Sequence, residues 1–295
     1  MKVALTGSTG MIGRHMKALL ASKSIECVCI DREKWDLTSW KAFEEFDVLF
    51  HGVESIFHFG ASLPKSSEMN EPDNEQNRII FDANVRACLN LSEWANFNNI
   101  PIVFLSGATV YEDSLSESIK EGAGLVKSGF GGFYGYSKLL AEKVFDHFIE
   151  NGLKVIILRP SSVYGIGLGE DKLISNCLKL AAKNKEVTIS CSKNRINLIH
   201  ALDVSKAALL ALENKAWGVY NIAAEKSPSI RELAECVVIV CDAGTVVIND
   251  ESDKEKPSVR FDLDTSKAKD KFQFKQTVHL HDGLTLMYKK KEIEC

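Results

Sequence analysis

The chain has 295 residues, of which 45% are hydrophobic and 26% charged, with a net charge of -4 and a pI near 6.0. This composition is typical of a globular protein with one large domain or two small ones, and it lacks the basic surface that nucleic acid would need. No apolar run approaches the roughly 20 residues that span a bilayer and no cleavable signal is evident, so we expect a cytoplasmic protein without a membrane partner.

Short apolar runs alternate with segments of helical period through the first half of the chain. The predicted strands are Lys2 to Thr6, Glu26 to Ile30, Ser55 to Phe59, Pro101 to Leu105 and Lys154 to Leu158, and the predicted helices are Ile12 to Ser22, Ala83 to Asn96 and Tyr134 to Asn151. This alternation predicts an α/β fold with a doubly wound parallel sheet. We expect a Rossmann domain over residues 1–160 and a smaller C-terminal α/β substrate-binding region over residues 161–295, with some elements returning to the sheet.

A glycine-rich turn follows the first predicted strand, with glycines three residues apart. Glycine tolerates the positive φ of a tight turn and lets the backbone approach a pyrophosphate, and the helix that follows offers free N–H groups to the phosphates. The turn alone could also be purely structural. The predicted dinucleotide-binding residues here are Gly7, Thr9, Gly10, Met11, Ile12 and Gly13.

Asp31 ends the second predicted strand, where a carboxylate can accept hydrogen bonds from the adenosine ribose hydroxyls. A carboxylate there would repel a 2′-phosphate, which favours NAD. Arg32 is adjacent and could neutralise that phosphate, so NADP remains possible.

Tyr134 and Lys138 are four residues apart at the start of a predicted helix, which puts them on one face. A neighbouring ammonium and an oxidised nicotinamide would both favour the phenolate and lower the pKa of Tyr134. The pair therefore predicts acid-base chemistry on a hydroxyl. The alternative is an ordinary solvated helix face.

With these motifs in order, the sequence resembles the extended short-chain dehydrogenase/reductase family, in its NAD-dependent nucleotide-sugar epimerase/dehydratase branch. The resemblance runs from about residue 1 to 285. Besides the glycine turn and Tyr134 to Lys138, it rests on Asp36-Leu37, His58 to Ala61, Asn84-Val85, Ser106 to Tyr111, Arg159-Pro160, Val163 to Gly165, Val219 to Ile222 and Asp264 to Ala268.

The resemblance implies roles for several further residues. Those implied to contact the cofactor are Asp36, Leu37, Phe59, Gly60, Ala61, Ser106, Tyr134 and Lys138, with Asp36 at the adenine and Lys138 at the nicotinamide ribose. Asn84 would belong to the proton network of the active site. Ser162, Arg195 and Arg260 are candidates for substrate binding, although Arg195 could equally form an exposed ion pair. The second and third predicted helices resemble those that pair relatives into dimers, so a homodimer is possible.

The sequence departs from the family where a hydroxyl is expected. The family has Ser or Thr at the position of Gly107, and dehydratases have Asp and Glu at the positions of Ala108 and Thr109, so that kind of dehydration is disfavoured. Because side chains alternate along an extended segment, we expect Thr109 to lie on the same side as position 107 and to replace the missing hydroxyl, while Ser106 points away. A water, the substrate's own hydroxyl or simple packing of Thr109 are the alternatives.

Eight cysteines include no CxxC pair and the seven histidines are scattered, so we expect reduced thiols and no metal site. The favoured hypothesis is a nucleotide-sugar epimerase, acting at C4 through transient hydride transfer to NAD or NADP. The alternatives are an NAD(P)H-dependent reductase of a keto sugar nucleotide or other carbonyl, and a dinucleotide-sensing protein without catalysis.

Overall fold

The computed structural model describes residues 1–64, 74–113, 115–126, 131–249 and 259–294. The strands are β1 (Lys2–Thr6), β2 (Glu26–Ile30), β3 (Ser55–His58), β4 (Ile102–Leu105), β5 (Val155–Pro160), β6 (Ser162–Tyr164), β7 (Glu186–Ile189), β8 (Arg195–Ile196), β9 (Leu198–His200), β10 (Gly218–Ile222), β11 (Thr245–Ile248) and β12 (Val259–Arg260). The helices are α1 (Met11–Ser22), α2 (Phe43–Leu49), α3 (Asn74–Phe81), α4 (Ala87–Phe97), α5 (Gly132–Glu150), α6 (Leu173–Ala181), α7 (Ala201–Glu213), α8 (Ile230–Cys241), α9 (Ser266–Phe272) and α10 (Leu280–Glu294).

Six strands form a parallel central sheet in the order β10, β5, β4, β3, β1, β2. Along β1, Val3 and Leu5 pack on one face with α1, α7 and α9, while Ala4 packs on the other with α2, α4 and α5. Both faces are therefore buried, as strands of a parallel sheet require. The predicted doubly wound fold is confirmed.

The C-terminal half contributes to two parts of the molecule. β10 extends the central sheet beside β5, and α7 packs on α1. A separate apolar cluster joins α6, α8 and α10 with the strand pair β7 and β11. The proposed division at residue 160 stays a prediction.

The five predicted strands are present with ends shifted by at most two residues, but the helix predicted from Ala83 differs. It begins earlier, as α3, and passes through a π-helical turn over Asp82–Arg86 before continuing as α4. A π turn inserts an extra residue into the helical repeat, which hydrophobic periodicity does not reveal.

Within the described ranges, no helix has the length and apolar character needed to cross a membrane. In these ranges Cys27, Cys29, Cys88, Cys177 and Cys236 are free thiols, and Cys295 lies outside the described residues.

Candidate active site

The glycine turn joins β1 to α1 and packs against the segment that follows β3. Gly7 has a φ of +69°, and a Cβ there would lie 2.7 Å from the backbone nitrogen of Gly60. A Cβ at Gly13 would overlap the carbonyl oxygen of Gly7. The first turn of α1 contains no acidic residue, so its free N–H groups are available to an anion. This backbone can be approached closely by a diphosphate and fits a dinucleotide.

A cavity of about 660 Å³ opens along the carboxyl ends of the strands. Every residue predicted to bind the cofactor lines it: Gly7, Thr9, Gly10, Met11, Ile12, Gly13, Asp31, Arg32, Asp36, Leu37, Phe59, Gly60, Ala61, Ser106, Tyr134 and Lys138. Thr109 and Ser162 line it too, whereas Asn84, Arg195 and Arg260 do not. The residues that the sequence predicts to bind the cofactor therefore lie together around one cavity. The role of each of these residues stays a prediction.

Asp36, in the segment that follows β2, forms several hydrogen bonds within the wall of the cavity. Its Oδ1 accepts hydrogen bonds from the backbone nitrogen and the hydroxyl of Thr38, at 2.9 and 2.8 Å, and its Oδ2 accepts one from Arg32 Nε at 3.2 Å. The bonds from Thr38, followed by the charge of Arg32, hold the pKa of Asp36 below its usual value. Asp36 is therefore ionised and forms an ion pair with Arg32. Asp31, Arg32 and Asp36 all line this part of the cavity.

Tyr134 and Lys138 meet in the cavity one turn apart on α5. The Lys138 Nζ lies 6.0 Å from the centroid of the Tyr134 ring and donates to the carbonyl oxygen of Leu105 at 2.9 Å. Burial lowers the pKa of Lys138 to about 8 and raises that of Tyr134 to about 12. The protein groups alone thus do not lower the pKa of Tyr134. A cationic ring placed against the phenol would act in the opposite direction to burial.

The backbone is still extended at Gly107 and then turns, so the expected alternation of side chains is wrong beyond Gly107. Ala108–Val110 form a 3-10 turn, and this turn nevertheless brings Thr109 next to Gly107. A Cβ at Gly107 would lie 3.5 Å from Thr109 Oγ1. That oxygen is buried and has no hydrogen-bond partner among the described residues. Ser106 Oγ points away and donates to Glu142 Oε1 at 2.5 Å.

Asn84 lies in the π turn and acts on the structure around the cavity. Its Oδ1 accepts from the backbone nitrogen of Ser62 at 2.7 Å, and its Nδ2 donates to the Ser62 carbonyl and to Ser137 Oγ, both at 3.0 Å. Ser137 Oγ in turn donates to the carbonyl of Tyr134 at 2.7 Å. Asn84 therefore ties the segment after β3 to the start of the tyrosine-lysine helix.

Arg195 and Arg260, the two candidate arginines, lie on the paired strands β8 and β12 and do not line the cavity, and their role in substrate binding stays a prediction. β8 pairs with β12 so that Arg260 is opposite Ile196, one residue beyond Arg195. Neighbouring residues of a strand project to opposite faces, which places the side chains of Arg195 and Arg260 on different sides of the strand pair. Arg195 is exposed and its Nε donates to the Ser227 carbonyl at 2.7 Å.

Phe261, which follows Arg260, lines the cavity and was not found from the sequence. It is 4% exposed and has a φ of +56°, an outlier for a bulky residue. Trp35, Thr38 and Ser161 also line the cavity. Thr38 directly follows the matched Asp36-Leu37 pair and Ser161 directly follows the matched Arg159-Pro160 pair, and these positions were the available sequence clues.

Comparison with known proteins places this site in context. The model of the NAD dependent epimerase/dehydratase family matches residues 3–223. The UDP-glucuronic acid decarboxylase 1 of Arabidopsis thaliana is 24% identical over 97% of this chain and 69% of its own length. The dTDP-4-dehydro-6-deoxy-D-allose reductase of a Streptomyces species is 26% identical over 81% of this chain and 80% of its own length. A UDP-glucuronic acid 4-epimerase from Bacillus cereus, solved with NAD, has the same fold, with a TM-score of 0.80 and 21% identity over 98% of this chain and 96% of that one.

Proposed function

Because the chain belongs to the NAD-dependent epimerase/dehydratase family, we propose that it is a nucleotide-sugar 4-epimerase. The observation that carries the proposal is the meeting of Tyr134, Lys138 and the free Thr109 hydroxyl in the cavity that the glycine turn lines. Proton-transfer groups and a dinucleotide cradle in one cavity are what reversible oxidation of a sugar hydroxyl requires.

The residues present fit NAD. The glycine turn and the α1 N-terminus would hold the pyrophosphate, Asp31 the adenosine ribose and Lys138 the nicotinamide ribose. NAD, when bound, takes up the hydride of the carbon that bears the hydroxyl and returns it. The single cavity that the glycine turn, Asp31 and Lys138 line together supports this assignment.

Tyr134 would transfer the proton of the reacting hydroxyl, and Thr109 would donate a hydrogen bond to its oxygen. Tyr134 accepts the proton of the C4 hydroxyl as that carbon is oxidised, and it gives a proton back when the carbonyl is reduced on its other face. The Thr109 hydroxyl donates a hydrogen bond to the same oxygen and stabilises the negative charge that develops there. The charge of Lys138 and a cationic nicotinamide ring of bound NAD would together favour the phenolate form of Tyr134 against the effect of burial.

A second candidate is a reductase of a keto sugar nucleotide. It is supported by the similarity to the Streptomyces reductase across 81% of this chain. The same residues would serve, with reduced cofactor consumed at each turnover instead of regenerated.

Native mass spectrometry of the purified protein and turnover of UDP- and dTDP-hexoses would test the proposal. An epimerase should carry NAD through purification, and it should interconvert C4 epimers without net change in absorbance at the NADH wavelength. Tyr134→Phe keeps the ring and removes the proton-transfer group, so turnover should fall by about 10²-fold or more with NAD binding retained.

Stoichiometric loss of NADH or NADPH with a keto sugar, and no epimer formed, would favour the reductase. If the protein binds the cofactor but turns over neither substrate class, the dinucleotide-sensing hypothesis would be favoured.

A further inference from the structure

A buried ion pair lies directly behind the tyrosine-lysine pair. Glu142 follows Lys138 by one turn of α5, and Arg159 is on β5. Glu142 and Arg159 are 3% and 4% exposed. Arg159 Nε donates to Glu142 Oε1 at 3.0 Å and Arg159 Nη2 donates to Oε2 at 2.5 Å. Taking both charges out of water offsets much of their attraction, so stability alone is a weak reason for such a pair.

Glu142 and Lys138 hold adjacent residues at the end of β4. Lys138 Nζ donates to the carbonyl of Leu105, while Glu142 Oε1 accepts from Ser106 Oγ at 2.5 Å. These two residues lead directly into Gly107 and the 3-10 turn that carries Thr109. One turn of α5 thus fixes the backbone from which the free hydroxyl projects.

Glu142 also supplies the negative charge near Lys138. Cys88 and His58 are two further titratable groups with a charge interaction with Lys138, and Tyr134 faces it one turn away on α5. Burial raises the pKa of Cys88 to about 12 and that of Tyr134 to about 12, and it lowers that of His58 to about 3. All three are therefore neutral near pH 7. Both oxygens of Glu142 accept hydrogen bonds from donors, as a carboxylate requires.

We propose that Glu142 is a positioning residue, which places its carboxylate one helical turn behind Lys138 and holds the backbone that presents Thr109. Arg159 holds the carboxylate of Glu142 through two hydrogen bonds, from Nε to Oε1 and from Nη2 to Oε2. The inference rests on the proposed function, since Lys138 binds the nicotinamide ribose and acts on Tyr134 there. Burial disfavours the ammonium, and the carboxylate one turn away opposes that effect.

Glu142→Gln tests the proposal, because it keeps the shape and the acceptor for Ser106 but removes the charge. NADH affinity should be titrated from pH 6 to 9.5 by fluorescence, with the pH profile of kcat measured beside it. In the wild type, affinity should fall as Lys138 loses its proton. In Glu142→Gln the midpoint of that fall should move down by about one pH unit or more, with affinity recovering at low pH.

Two further variants separate charge from structure. Ser106→Ala removes the contact and keeps the charge, so its midpoint should equal that of the wild type. The double variant Glu142→Gln/Arg159→Met leaves no guanidinium buried without its carboxylate, so it should fold even where the single variant does not. The pH midpoint of the double variant should lie between the midpoints of the wild type and of Glu142→Gln. Where Glu142→Gln cannot be measured, the midpoint of the double variant should lie below that of the wild type.

An unchanged midpoint in both Glu142 variants would overturn the proposal, as would an equal loss of affinity at every pH. Because NADH titration needs no sugar substrate, these outcomes are independent of the epimerase assignment. A shifted midpoint in a protein that turns over no nucleotide sugar would overturn only that assignment.

Discussion

Thr109 presents a buried hydroxyl without a hydrogen-bond partner among the described residues, beside a position that has no side chain. The Thr109 Cγ2 lies 3.2 Å from where a Cβ at Gly131 would be, so its methyl packs against the start of α5. The hydroxyl is thereby directed toward Gly107. A donor fixed in this way needs no reorganisation when charge develops on a substrate oxygen.

Thr109→Val should lower turnover by about 10²-fold, because it removes the donor and keeps the side-chain shape. NADH binding should stay unchanged. Gly107 has an extended φ of -177°, which any residue adopts, so Gly107→Ser in the Thr109→Val background should restore part of the activity. Steady-state kinetics with the identified substrate would measure both effects. A Thr109→Val enzyme with normal turnover would show that this hydroxyl is not used.

At the scale of the element, the glycine turn is constrained by contact as well as by backbone conformation. Gly7 and Gly52 have nearly the same φ, +69° and +70°. A Cβ at Gly7 would meet Gly60 at 2.7 Å, whereas the nearest atoms to one at Gly52 are the end of the Lys2 side chain at 3.9 Å. Two glycines of equal conformation therefore differ in the space around them.

Gly52→Ala should cost about 1 to 2 kcal/mol of unfolding free energy, from the left-handed conformation alone. Gly7→Ala should cost more and should weaken NADH binding by at least tenfold, because β1 and β3 would have to separate at the phosphate site. Urea denaturation and fluorescence titration of the two variants would measure the difference. Equal losses in both variants would mean that the close approach to Gly60 has no energetic effect.

The elements that the sequence predicted well are those defined by local pattern. β1 and β2 match their predicted ends because each is a short apolar run that ends at a turn residue. The 3-10 turn at Ala108–Val110 and the π turn at Asp82–Arg86 are small changes of backbone repeat that leave no periodic trace. Because of these two turns, the observed position of Thr109 and the surroundings of Asn84 differ from those that the sequence predicted.

Features that depend on distant pairing could not be predicted. The register of β8 with β12 separates Arg195 from Arg260, and only the packed structure contains that register. Phe261 lines the cavity and has a left-handed backbone conformation, which no neighbouring residue in the sequence predicts. Similarly, the contact of Glu142 with Arg159 joins a helix to a strand.

For the whole molecule, two buried histidines make stability depend on pH. Burial lowers the pKa of His58 to about 3 and that of His200 to about 4. His58 lies between the rings of Trp35 and Phe104. Between pH 6.5 and about 4 the unfolded chain therefore binds protons that the folded protein does not. Stability falls as the pH is lowered through this range.

At pH 5 the unfolded state should gain up to about 2 kcal/mol from His58 alone, at about 1.4 kcal/mol for each pH unit below 6.5. Urea denaturation at pH 7.5 and 5.0 would measure the loss. His58→Asn should reduce the difference between the two pH values, and the matched change at the exposed His51 should leave it unaltered. Equal pH dependence in all three proteins would assign the acid sensitivity to other groups.

The last strand of the central sheet also has a consequence for synthesis. β10 pairs with β5 at the edge of the sheet, yet it follows α6 and α7 in the chain. While a ribosome is still translating those helices, the emerging chain contains the glycine turn, Tyr134 and Lys138, but the apolar edge of β5 has no neighbour. Unpaired edges of this kind recruit other chains. The outer edge of β5 is therefore covered only after Gly218–Ile222 has been made and has left the ribosome.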